Sequence, residues 1–322
     1  MYLLAYSFIR NHFDSKKALG ISFFTALLFA IHPVQVETVC WISASKIVLS
    51  TFFYLSALIC YIQYMRNSKW QYLLASVVSS ILAMGCKEQS VIIVPCLLLF
   101  DWMLFKRNMR SLKVYIEKVY YLIPAIAIFI VTLVANKNTG EEIIGYTIVD
   151  RFIFLCYSVF KYLLISAIPF KLSYLYPFPF QVGEKIPMAL WIYPFVILFI
   201  GYVIYLYRRK TLLVFGTLFF ILHLLPVLHV IPLPRYVVAA DRYLYIPYIA
   251  FAIGLSILSY HLYERQRKWI LYAGFLYCSY LCVYTASYAP AWKNSDTLKE
   301  HFKEVLKKRE TNLSINYKNE KQ

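Results

Sequence analysis

Met188–Tyr207 reads MALWIYPFVILFIGYVIYLY, twenty residues without a charge, and Arg208-Arg209-Lys210 follows at once. A helix needs about 20 apolar residues to cross the hydrocarbon core of a bilayer, and basic residues at its end mark the cytoplasmic side. The same alternation runs through the chain. Apolar runs occur at Ala18–Ile31, Ile47–Tyr64, Trp70–Gly85, Val91–Phe105, Val119–Ala135, Thr211–Leu228, Tyr243–Leu262 and Trp269–Tyr288. Of 322 residues, 61% are apolar and only 15% charged, too few polar groups to cover a soluble domain of this size. The sequence therefore predicts an all-α, polytopic transmembrane bundle of nine helices. Tyr2–Ile9 is about half the length of a crossing and reads as the tail of a longer segment.

Lys and Arg number 33 against 16 Asp and Glu, an excess that by itself would fit a nucleic-acid partner. The bases sit instead in four short connections: Arg66 with Lys69; Lys106, Arg107, Arg110, Lys113 and Lys118; Arg208–Lys210; and Arg265, Arg267 and Lys268. The positive-inside rule explains that distribution, so no nucleic-acid partner is expected and the lipid bilayer is. With these four connections cytoplasmic, His32–Lys46, Lys87–Ser90, Asn136–Asp150, Phe170–Lys185 and His229–Arg242 face the other compartment. Phe152–Ile168, weakened by Arg151 and Lys161, then reads as a helix that lies in the outer interface or re-enters. The seven cysteines show no ligand-pair spacing with histidine, so no metal site, cofactor or disulfide framework is indicated. The chain divides into 1–17, a partial N-terminal helix and its cytoplasmic connection; 18–288, the helical core; and 289–322, a charged extracytoplasmic tail.

Charge near bilayer depth costs about 2.5–3.5 kcal/mol even on lenient scales, so the charged strings in the outer connections are the functional candidates. His32-Pro33-Val34-Gln35-Val36-Glu37, with Trp41 and Lys46, supplies an imidazole, a carboxylate, an indole and an ammonium. Glu37 and His32 suit proton transfer at a desolvated surface; alternatively they cap helix ends while Trp41 anchors the interface. Lys87-Glu88 is either an ion pair closing a tight turn or a lysine offered to a phosphate. Arg235 and Arg242 carry the planar fork that matches phosphate oxygens, with Asp241, Tyr243 and Tyr245 alongside. The plainer reading there is an Asp241–Arg242 salt bridge between interfacial tyrosines. Lys171–Phe180, with Tyr174 and Tyr176, is an extended aromatic segment because its prolines forbid regular helix.

Taken in order, HPVQVETVCWISASK, GCKEQSVIIVPCLLLFD, LSYLYPFPF and AADRYLYIP resemble the membrane domain of the transmembrane and tetratricopeptide-repeat O-mannosyltransferases, from about Leu19 to about His301. That family belongs to the polytopic GT-C glycosyltransferases. The resemblance implies a GT-C-type bundle that moves a sugar, mannose in characterised relatives, from a polyprenyl phosphate to a hydroxyl of a protein or glycan acceptor outside the cytoplasm. His32, Glu37, Trp41 and Lys46 match its first motif, Lys87 and Glu88 the second, Tyr174 and Tyr176 the third, and Asp241, Arg242, Tyr243 and Tyr245 the last. Relatives begin with a further helix and an outer loop bearing an acidic pair, whereas the first acid here, Asp14, falls in the cytoplasmic Arg10–Lys17 connection. They also continue from a Trp-x-x-Ser-x-x-Leu stretch, matched by Trp292, Ser295 and Leu298, into repeats that this chain lacks. The reading is thus of a truncated, split or degenerate member in which Glu37 or Asp241 serves as catalytic base, or a partner chain supplies that base or the repeats. The alternative is a non-catalytic membrane protein that binds the lipid carrier or joins an active subunit. A transporter ranks last, because the charges gather near one surface. Frequent Lys, Ile and Tyr point to a bacterial inner membrane with the active face toward the periplasm.

Overall fold

The structure is a computed structural model that describes residues 1–135, 146–173, 176–180, 182–228, 237–300 and 303. Among these residues the chain is all-α, joined by short 3-10 turns and one isolated β-bridge. The helices are α1 (Tyr2–Ile9), α2 (Ser15–Ile31), α3 (Val36–Cys40), α4 (Ser45–Asn67), α5 (Trp70–Cys86), α6 (Ile93–Leu99), α7 (Leu112–Ala135), α8 (Ile148–Ala167), α9 (Ile192–Leu206), α10 (Thr211–Leu224), α11 (Pro247–Arg265) and α12 (Arg267–Tyr288). Among the described residues four helical stretches, Ile42–Asn67, Leu112–Val134, Met188–Leu206 and Arg267–Trp292, are long and apolar enough to cross a membrane. A fifth arises if the bent pair Ser15–Ile31 and Pro33–Cys40 counts as one span. This is compatible with a multi-pass integral membrane protein.

Where the observed elements depart from the apolar runs, a local cause is visible. Val91–Phe105 is not one helix: it passes from a 3-10 turn at Glu88–Ile92 through α6 into a π-helical turn at Phe100–Leu104. The wide turn carries Asp101, buried and bonded to neighbouring helices, and such insertions mark places where a side chain overrides the regular ladder. α7 starts at Leu112, two turns before the apolar run, because Glu117 and Lys118 find ionic partners inside the fold. α11 begins at Pro247, which suits a first helical position since its missing N–H would have had no partner there. α8 is a regular helix opened by a capping box between Thr147 and Asp150, with Ile153, Phe154, Tyr162 and Ile165 turned inward.

One apolar core runs from Leu4 in α1 to Trp292 beyond α12. α4 lies along α5, while α11 packs against both α2 and α10. α4 is among the longest helices: its 23 residues span about 35 Å at about 1.5 Å per residue. Its last turn meets the basic connections, where the Arg66 guanidinium donates to the Ser7 carbonyl at 3.0 Å and Tyr61 donates to Asp101 at 2.5 Å. Its first turn meets the other pole, where Ala44 and Ile47 pack on Tyr245 beside Trp41.

Candidate functional site

At that second pole, two connections that are 205 residues apart lock together. Pro33 ends α2, and the chain turns through Pro33–Gln35 into α3, which carries Glu37 inward; Asp241–Leu244 forms a matching 3-10 turn before α11. Arg242 Nη1 donates to Glu37 Oε1 at 2.5 Å, and the Arg242 backbone N–H donates to Glu37 Oε2 at 2.9 Å. Both carboxylate oxygens of Glu37 are therefore occupied. Glu37 has no solvent exposure, whereas the Arg242 side chain keeps 18%. The guanidinium lies near the faces of Trp41 and Tyr243, 5.6 and 5.0 Å from the ring centroids. A buried acid thus holds a cation at the rim of the fold, framed by two aromatic rings.

Asp241 does not pair with Arg242. Its Oδ1 accepts from Tyr176 Oη at 2.8 Å, and its Oδ2, fully buried, has no hydrogen-bond partner. Burial, and then the charge of Glu37, push the Asp241 carboxyl well above the usual carboxylate range. Tyr176 reaches Asp241 because its backbone pairs with the segment just before it: Tyr176 N–H donates to the Ala239 carbonyl at 3.3 Å, and Val238 N–H donates to the Tyr176 carbonyl at 2.9 Å. This bridge ties the aromatic, proline-rich loop to the Asp241 turn. The Lys161 ammonium of α8 sits 3.9 Å from the centroid of the Tyr176 ring.

His32 caps the turn that follows α2, its Nδ1 accepting the Val34 N–H at 3.3 Å. The imidazole is buried and lies 4.3 Å, centroid to centroid, from the ring of Tyr248. Lys87 and Glu88 form the ion pair of the plainer reading, at 2.6 Å, and the Lys46 charge acts on Glu88. Lys46 itself is exposed, as is Cys40. Trp41 meets Trp292 at 5.8 Å between centroids, so the start of the C-terminal tail lies at this same pole.

Thus Glu37, Asp241, Arg242, Tyr243, Trp41 and Tyr176 form one junction, Tyr245 packs at its edge, and Lys46, Lys87 and Glu88 stand beside it. Tyr174 and Arg235 lie outside the described residues. Sequence reading used Lys161 only as a charge that weakens Phe152–Ile168 as a crossing and gave it no place in a site. It also missed Gln35 and Thr38, buried in the first connection with side-chain atoms that find no partner. Among the described residues no group of three or more His, Cys, Asp or Glu is placed to hold a metal ion. The pattern of donors suits an anion with a bulky apolar or ring-bearing attachment: a cation at the rim, aromatic faces around it and ammonium groups nearby. No protein-family model, curated protein sequence or solved structure matches the chain.

Proposed function

We infer that the protein is a membrane-embedded glycosyltransferase core that takes a sugar from a polyprenyl-phosphate carrier and delivers it to an acceptor hydroxyl on the side of the bilayer that the junction faces. The observation that carries this reading is the fixed guanidinium of Arg242, anchored through Glu37 and bordered by Trp41 and Tyr243. In such a transfer the acceptor oxygen bonds to the anomeric carbon as the bond from that carbon to the phosphate oxygen breaks. The polyprenyl phosphate leaves with the electron pair, and Arg242 stabilises its charge. The hydroxyl proton passes to a carboxylate. Asp241 is the better candidate of the two acids for that step, because Oδ2 is uncommitted while both oxygens of Glu37 are used. The GT-C architecture, the mannose-like donor and a periplasmic active face in a bacterial inner membrane belong to this same proposal.

The test is turnover of a polyprenyl-phosphate sugar by protein purified in detergent. Arg242→Ala is expected to lose about 10²–10³-fold in rate, the usual effect of removing one charge-stabilising donor. Full activity in that variant would remove Arg242 from the mechanism.

A second reading is favoured by one feature: neither acid of the junction reaches solvent. On that reading the protein binds the lipid carrier, or joins an active partner chain, without performing transfer. Binding of a labelled carrier that depends on Arg242, with no sugar released alone or beside candidate partner chains, would establish it over the first.

A further inference from the structure

The opposite pole carries a second feature that is independent of the transfer reading. Pro95, Leu98, Leu99, Trp102 and Met109 line an open apolar cavity of about 500 Å³ together with Leu218 and Leu222 of α10. That volume falls within the range of about 300–1,000 Å³ typical of small-ligand sites. The gap lies where α6 gives way to the π turn at Phe100–Leu104, opposite the flank of α10.

The two walls run in opposite directions. α10 passes from Phe215, whose ring lies 4.9 Å from that of Phe8, to His223, which bonds Tyr54 near the middle of α4 at 2.7 Å. α6 passes from the Lys87 side toward Lys106. Both walls therefore end in bases at the same pole. Lys106 and Arg110 flank Met109 on one side, and Arg208-Arg209-Lys210 precede α10 on the other, with Leu218 about 10 Å into the helix from Thr211.

The acids of this region are already spent. Asp101 is salt-bridged to Lys118 at 2.6 Å, and Glu117 to Arg107 at 2.5 Å. Lys106, Arg110, Arg209 and Lys210 are exposed and make no ion pair among the described residues. Trp102, 55% exposed on the lip of the cavity, is the residue type that settles at headgroup level.

We propose that this groove binds one anionic glycerophospholipid, an acyl chain lying between α6 and α10 and the headgroup phosphate resting among Lys106, Arg110, Arg209 and Lys210. Charge complementarity selects the occupant: a zwitterionic lipid would fill the apolar groove but bring no net negative charge to the four cations. The headgroup end of the groove lies toward the last turn of α4 and the Glu37–Arg242 junction at its first turn, so the carrier bound at one pole and the phospholipid at the other are distinct ligands.

Native mass spectrometry of the delipidated full chain, titrated with phosphatidylglycerol, phosphatidylcholine of the same acyl chains or a polyprenyl phosphate, tests this. One phosphatidylglycerol per chain is expected to bind at concentrations where phosphatidylcholine does not. Lys106→Gln with Arg110→Gln is expected to weaken phosphatidylglycerol binding about thirtyfold, from about 1 kcal/mol per basic residue, without changing the affinity for phosphatidylcholine. Leu218→Trp, which fills the groove, is expected to lower binding of both lipids. Equal affinity for the two phospholipids, or unchanged binding in the glutamine double variant, overturns the proposal. So does tighter binding of the polyprenyl phosphate that is lost in that double variant, because the groove would then hold the carrier. The exposed Lys106 and Arg110 pair keeps the test decisive if Leu218→Trp does not fold.

Discussion

Arg242 gives its backbone N–H and one guanidinium nitrogen to Glu37, so the two residues act as a unit with one partner sealed and the other at the surface. Removing Glu37 alone strands a largely buried guanidinium, and breaking such a pair typically costs about 3–5 kcal/mol. Glu37→Ala is therefore expected to lower the unfolding free energy in detergent by that order. Glu37→Leu with Arg242→Met should recover most of the loss, and a double-mutant cycle on denaturant midpoints reads the coupling. Asp241 behaves differently because its folded-state pKa lies above the unfolded value. Its contribution is fully present below the unfolded pKa of about 3.9 and is lost as pH rises through the folded value. Wild type should thus lose melting temperature with rising pH relative to Asp241→Asn, whose amide cannot ionise. A constant difference between the two melting curves from acid to neutral pH would contradict the assignment. Lys87–Glu88 matched its plainer expectation, an ion pair at a turn, while Asp241 departed from its own by bonding Tyr176 and leaving Arg242 to Glu37.

The elements show how charge reshapes an apolar run. The stretch from Val91 to Phe105 has the composition of a single crossing, yet Asp101 gathers Tyr61 of α4 and Lys118 of α7 around it, and the helix widens into a π turn there. Arg107 joins the same network through Glu117 and Asp101. Four charged groups and a phenol thus tie α4, the π turn and α7 together near the basic pole. Asp101→Ala is expected to destabilise the chain by about 3–5 kcal/mol, because it leaves Lys118 buried beside a second base without its main partner. Thermal unfolding followed by circular dichroism measures it, and a change within about 0.5 kcal/mol, the range of a surface substitution, would show the network to be dispensable. The Tyr176–Ala239 bridge belongs to this scale too. No helical or alternating period signals it, since one backbone pair joins segments 63 residues apart.

For the molecule as a whole, the two poles of α4 are chemically distinct: Arg66, Arg107 and Lys118 gather at one, and Glu37, Asp241 and Arg242 at the other. In a bilayer-spanning chain these poles open to opposite compartments. In a variant freed of its exposed thiols Cys40 and Cys282, Lys46→Cys and Arg110→Cys are expected to label with an impermeant maleimide from opposite sides of a sealed vesicle. Labelling of both from one side would refute this arrangement.

Apolar run length, the spacing of basic clusters and the proline positions were enough to specify an all-α chain and most helix ends, because these depend on local hydration and backbone geometry; of the nine crossings expected, four or five described stretches are long and apolar enough to cross a membrane. The pairing of Glu37 with Arg242, the bridge that delivers Tyr176 to Asp241, and the Asp101 network came from packing alone. Each joins charged or polar groups that are far apart along the chain, and their partners are selected by which buried atoms must be satisfied once the helices have come together.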